Sequence, residues 1–151
     1  MIVENFEVIT QWDPDVYQNA KSHTAIIDGK SKMEISAARK FKGNHKAYNP
    51  EDLLLNALSS CHFMSYQYVC LQAGIELLSY SCKTTGRLEV DPRTGAGSFK
   101  EMTLYPTVVV SQSRDIPVAE MLHEKAHELC FIANSLDVPV IIEPVVICRT
   151  D

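Results

Sequence analysis

The chain has 151 residues, 46% of them hydrophobic and 22% charged, which allows one domain, residues 1–151, with a buried core and an ordinary globular composition. Its formal charge of −5 argues against sequence-independent nucleic-acid binding, which draws on a net basic surface. No apolar stretch is long enough to span a bilayer, and the N-terminal MIVENFEVITQW has neither the basic leader nor the apolar run of a secretory signal, so a cytoplasmic protein with no membrane partner is expected.

Residues 2–12 alternate as a strand does. In TAIIDGKSKMEIS, Asp28-Gly29 stands between two strand-like runs, a hairpin signal because that dipeptide accepts positive φ. The segment ARKFKGNHKAY follows, with Arg39, Lys40, Lys42, His45 and Lys46; on charge alone it is a solvated basic loop.

The clearest element is NPEDLLLNALSSCHFMSYQYVCLQAG. Asn49 suits the N-cap, Pro50 the first helical position, Glu51 and Asp52 the positive end of the dipole, and Gly74 the stop. Between them Leu53, Leu54, Leu55, Ala57, Leu58, Phe63, Met64, Tyr66, Tyr68, Val69 and Leu71 leave almost no polar face. A helix apolar nearly all round has to be covered on most sides, and a small domain struggles to do that alone, so a second subunit is expected to help.

Beyond Gly74 the pattern predicts a long hairpin, with strands over 77–90 and 99–111 and a turn at DPRTGAG. Pro117 opens a second helix running to about Cys130, and PVIIEPVVICR supplies a last strand broken by Pro144. Hairpins with two separate helices imply an α+β fold on a mainly antiparallel sheet, with the long helix buried at its centre.

Two patterns carry chemistry. His123-Glu124-Lys125-Ala126-His127 fits H-E-x-x-H, in which two histidines one turn apart chelate zinc and the glutamate activates the bound water. A zinc peptidase needs a third protein ligand, and no acid stands at a familiar spacing; Glu143, the one nearby downstream, lies in an apolar strand-like segment. No metal and no cofactor are therefore expected, and the motif's histidines fit the polar face of an amphipathic helix. The second pattern is the set of five cysteines, at 61, 70, 82, 130 and 148, an odd number without C-x-x-C. That spacing does not describe a disulfide scaffold, and most free cysteines pack as small hydrophobes. Cys70 is nine positions past Cys61 on one helix, hence on the opposite face, and Cys82 and Cys148 sit in strands without nearby charge. Cys61 and Cys130 remain the best-placed pair.

The text around those two cysteines resembles the OsmC/Ohr family, that of osmotically inducible protein C and the organic hydroperoxide resistance proteins. N-P-E-D-L-L…A-L…S-C-H, with Asn49, Pro50, Glu51 and Cys61, is similar to the family's central-helix signature, and A-H-E-L-C-F-I-A-N-S, with Cys130, to its second-cysteine helix. The twelve positions from Asn49 to Cys61 and about seventy from there to Cys130 agree as well. The resemblance implies an OsmC-like fold, an intertwined homodimer, and a metal-free peroxidase acting on organic hydroperoxides. It implies that Cys61 attacks the O–O bond and becomes a sulfenic acid, that Cys130 resolves this to a disulfide, and that a dithiol reductant, a role lipoyl groups fill for related proteins, resets the pair.

A free thiol ionises only near about pH 8.5, and apolar surroundings disfavour the thiolate, so the chemistry calls for a cation. The resemblance implies an arginine held by Glu51, with Arg39 as the candidate and Lys40 beside it as the alternative. Glu51 lies ten residues before Cys61, about 15 Å along a continuous helix. It can serve the thiol only from a partner subunit, or if the helix is interrupted. Phe63, Met64, Tyr66 and Phe131 would line an apolar pocket or belong to the core. The same fold could also serve as a redox sensor or bind an apolar ligand without turnover.

Overall fold

The computed structural model describes residues 1–149 of the chain. They fall into two compact units, residues 1–54 and the residues from Leu55 onward.

The first unit is built on a small antiparallel sheet of β1 (Ile9–Gln11), β2 (His23–Ile26) and β3 (Met33–Ile35), in that order. The strand expected over 2–12 is only three residues long, pairing with Thr24–Ile26 of β2, and all three of its residues are exposed. Gly29 takes φ 74°, as the Asp28-Gly29 hairpin requires. The basic segment is more than a solvated loop. Arg39–Phe41 form a 3-10 turn closed by Phe41 N–H donating to the Ala38 carbonyl at 2.8 Å, and Asn44 N–H donates to Ser36 Oγ at 2.9 Å. Gly43 packs so tightly that a Cβ there would run into the Ala37 backbone. Gly43→Ala is therefore expected to lower stability by about 3 kcal/mol or more, read as a fall in urea midpoint, since neither backbone can give way.

α1 (Pro50–Gln72) runs unbroken for 23 residues. Asn49 caps it, its Oδ1 accepting from Asp52 N–H at 2.8 Å. Its end is a Schellman motif: Gly74 takes φ 72°, Ile75 N–H donates to the Cys70 carbonyl at 2.9 Å and Gly74 N–H to that of Leu71 at 3.1 Å.

In the second unit, β4 (Leu77–Val90) and β5 (Gly97–Val110) form the long hairpin, in antiparallel register from Leu77↔Val110 to Val90↔Gly97. Asp91 organises the turn, its carbonyl accepting from Gly95 N–H at 2.8 Å and Gly95 taking φ 76°. α2 (Ile116–Leu129) and a single turn, α3 (Phe131–Asn134), then carry the chain back across the sheet. The last strand is split into β6 (Val140–Ile142) and β7 (Val145–Cys148). Pro144 lies in the break, where it cannot donate to a ladder. Both pieces pair parallel with β5, as the helical crossover requires. The fold is α+β, with an antiparallel hairpin extended on one side by parallel pairing. Tyr66, Val69 and Cys70 of α1 and Ala119 and Ala126 of α2 pack with Val108, Val110 and Val146 of the sheet to form the core.

Candidate active site

α1 has two faces that its sequence does not distinguish by polarity. Leu58, His62, Tyr66, Val69 and Cys70 recur at helical spacing and are buried. Met64, Tyr68 and Leu71 form another stripe and are 58%, 53% and 76% exposed. They line an open groove of about 380 Å³ with Gln67, Ile75, Glu76 and Leu77. Cys61, three residues before Met64, sits at the border between the stripes and is partly exposed.

The chain brings Cys61 and Cys130 together. Cys61 is close enough to Cys130 to raise its thiol above its ordinary range, and all five cysteines are free. Cys130 ends α2 with an extended backbone (φ −73°, ψ 109°), and its Sγ caps α3 by accepting from Ala133 N–H at 3.4 Å. It is completely buried, and that burial, with Cys61 alongside and the Ala133 N–H working against it, pushes its thiol up to about 11. At neutral pH Cys130 is therefore a protonated thiol that solvent cannot reach, while Cys61 beside it is reachable. Cys70 is fully buried in the core with Tyr66 and Val69.

The same two helices also meet through histidines, His62 directly after Cys61 and His123 seven residues before Cys130. His62 Nε2 and His123 Nδ1 lie 3.0 Å apart, with both residues 1–2% exposed. The His123 ring stacks on Tyr66 at 3.8 Å between centroids, and the Tyr66 hydroxyl donates to the Ala119 carbonyl at 2.8 Å. Burial first, then the charge of His127, lowers His62 to about 4; burial and then His62 lower His123 to about 3. Both rings are neutral at pH 7. Sequence reasoning missed this pair: His62 was visible only as the neighbour of Cys61, and His123 only as part of H-E-x-x-H. Among the described residues no group of three or more His, Cys, Asp or Glu is arranged to hold a metal ion.

Glu51 and Arg39 are placed differently. Glu51 is in the first turn of α1, and the helix between it and Cys61 is continuous, so the interrupted-helix alternative falls away. Its Oε2 is shut off from solvent with no hydrogen-bond partner, which leaves a buried carboxylate oxygen short of a donor. Arg39 lies exposed on the 3-10 turn, and among the described residues it makes no ion pair. The apolar residues near the cysteines do not form one pocket. Tyr66 is core, Phe63 tilts against Tyr80 at 4.7 Å, and Met64 and Phe131 are exposed.

A long helix bearing one cysteine at the edge of its buried face, paired with a second cysteine after a crossover helix, defines a protein class. The model of OsmC-like proteins matches residues 43–144, and the chain belongs to that family. An OsmC-like protein of unknown function from Vibrio cholerae is similar in structure, with a TM-score of 0.83, 28% identity, and coverage of 95% of this chain and 100% of that one. An organic hydroperoxide resistance protein from Elizabethkingia anophelis shares the fold at a TM-score of 0.74, with 17% identity over 99% of each chain. The uncharacterized protein YmaD of Bacillus subtilis is 24% identical over 114 residues, 74% of this chain and 75% of its own length.

Proposed function

We propose that the chain is a thiol-dependent peroxidase that reduces organic hydroperoxides in oxidative-stress defence. The observation that carries this is the meeting of a reachable Cys61 with a buried, protonated Cys130. The Cys61 thiolate attacks the distal oxygen of ROOH, the O–O bond breaks, and the departing alkoxide takes up a proton to leave as ROH. Cys61 is then a sulfenic acid. The Cys130 sulfur displaces its hydroxide, the Cys130 proton completes a water, and the two sulfurs are joined. A dithiol reductant such as a lipoyl group returns both electrons and both protons. The unequal exposure of the two thiols supports this order, because only Cys61 is open to a bulky peroxide.

Activation of Cys61 falls to a cation held by Glu51, with Arg39 as the candidate. The donor missing at Glu51 Oε2 supports the demand for such a cation. Because α1 is continuous, the Glu51 that serves one thiol comes from a second copy, and residues 1–151 act as one OsmC-like domain completed by dimerisation. The exposed stripe of Met64, Tyr68 and Leu71 beside Cys61 supports a homodimer. Leu71→Glu is expected to weaken that dimer by at least about tenfold in Kd, measured by analytical ultracentrifugation. Among the described residues no helix is long and apolar enough to cross a membrane, and we assign the activity to the cytoplasm.

The test is peptide mass spectrometry of the reduced protein after one equivalent of cumene hydroperoxide, kept non-reducing. Rapid loss of two hydrogens mapped to a Cys61–Cys130 peptide supports the reading. Unmodified thiols, or oxidation scattered over all five cysteines, overturn it.

A further inference from the structure

Three neighbouring pairs relate α1 to α2 and the residue that ends it, in antiparallel order: Cys61 beside Cys130, His62 hydrogen-bonded to His123, and the Tyr66 hydroxyl donating to the Ala119 carbonyl. The outermost is weak, because thiols are poor donors and acceptors. The middle one is a 3.0 Å hydrogen bond between two buried rings inclined at only 12°, with Tyr66 stacked on the face of His123 at 3.8 Å.

No step of the proposed peroxidase reaction uses these rings. Yet the fold tolerates two buried imidazoles whose outer nitrogens, His62 Nδ1 and His123 Nε2, are closed off without a partner. Orphaned polar atoms of this kind are costly, and apolar residues of similar size would fill the same space without them. What the imidazoles add over apolar packing is direction. A hydrogen bond fixes the rotation of a helix about its axis as well as its distance from a neighbour. His62 follows Cys61 directly, so the rotation that points His62 at His123 also sets where Cys61 points.

We infer that the His62–His123 hydrogen bond is a positioning element that presets the reach between Cys61 and Cys130, and with it the ease of forming their disulfide. Its purpose rests on the two-cysteine reading above. A disulfide accepts only a narrow range of Cα separation and Cβ direction. Neighbouring thiols reach that range only if their helices are held at the right rotation, which a free roll of α1 would upset. Neither histidine touches the peroxide, and neither gains or loses a proton in the cycle.

The experiment equilibrates the full chain in mixtures of reduced and oxidised glutathione at pH 7 and quantifies the Cys61–Cys130 peptide. Two protein thiols and one oxidised glutathione give the disulfide and two reduced glutathiones. His62→Phe keeps a flat ring without nitrogen, whereas His62→Gln keeps a side-chain donor and acceptor. The expected result is a fall of about tenfold in the oxidation equilibrium constant for His62→Phe, with His62→Gln within about threefold of the unaltered chain. No change in His62→Phe overturns the inference. So does an equal fall in both variants, which would credit ring packing, or failure of the unaltered chain to form this disulfide. Should His62→Phe not fold, His123→Phe against His123→Asn makes the same comparison. A merely structural role lowers the melting temperatures of the oxidised and reduced forms alike and leaves the equilibrium unmoved. Because the titration contains no peroxide, its failure is separate from failure of the peroxidase reading, which shows only with cumene hydroperoxide.

Discussion

Cys61→Ser is expected to lower hydroperoxide reduction by about a thousandfold or more, while Cys130→Ser still completes one oxidation. The two thiols are neighbours, yet they differ in what reaches them. Cys61 is partly exposed at the edge of the buried face of α1, and a serine hydroxyl there is too poor a nucleophile to open an O–O bond. Cys130 is fully buried and held protonated, so it takes no part until a sulfenic acid appears next to it. In Cys130→Ser that sulfenic acid has no resolving sulfur. It should accumulate after a single turnover, detected by a dimedone adduct on Cys61 and by a burst of one peroxide per chain. Adducts of equal yield on Cys70 or Cys82 would mean that the pair is not the reactive centre.

Acid should destabilise the protein steeply. His62 and His123 are held down to about 4 and about 3 in the folded state, chiefly by burial, against about 6.5 in an unfolded chain. Their folded pKa values lie below the unfolded ones, so between these limits the unfolded chain binds more protons. Stability is fully present above pH 6.5 and is lost as pH falls toward 4. Two such groups predict a loss on the order of 3–5 kcal/mol between pH 7 and 4.5, a large part of a typical domain's stability. Urea midpoints across that range check the prediction. A flat profile would show that the two rings take up protons in the folded state without cost, contrary to their burial.

The sequence by itself determined the long elements and their ends, though not the short β1 or the 3-10 turn at Arg39–Phe41. Asn49, Pro50 and Gly74 bound α1 because capping and left-handed φ are local requirements, met within a turn of chain. The same holds for the hairpin turn around Asp91 and Gly95, and for Pro144, which splits the last strand because it lacks an N–H. The two motifs around Cys61 and Cys130 also named the family, since residue types at fixed spacing survive in the sequence. Less legible was anything made across elements. The parallel pairing of β6 and β7 with β5 depends on where α2 returns the chain. The uniform apolarity of α1 concealed which stripe is buried and which is left exposed, because that is decided by what packs against it.

The cysteines and histidines show the same division most clearly. Helical periodicity placed Cys70 opposite Cys61, and it could assign His123 to a helix face, but it could not bring two helices into contact. Only the tertiary structure set Cys61 against Cys130 and turned His123 inward to His62. Those contacts are fixed by core packing around Tyr66, a collective property of residues far apart in the chain, and packing leaves no short-range signature in sequence.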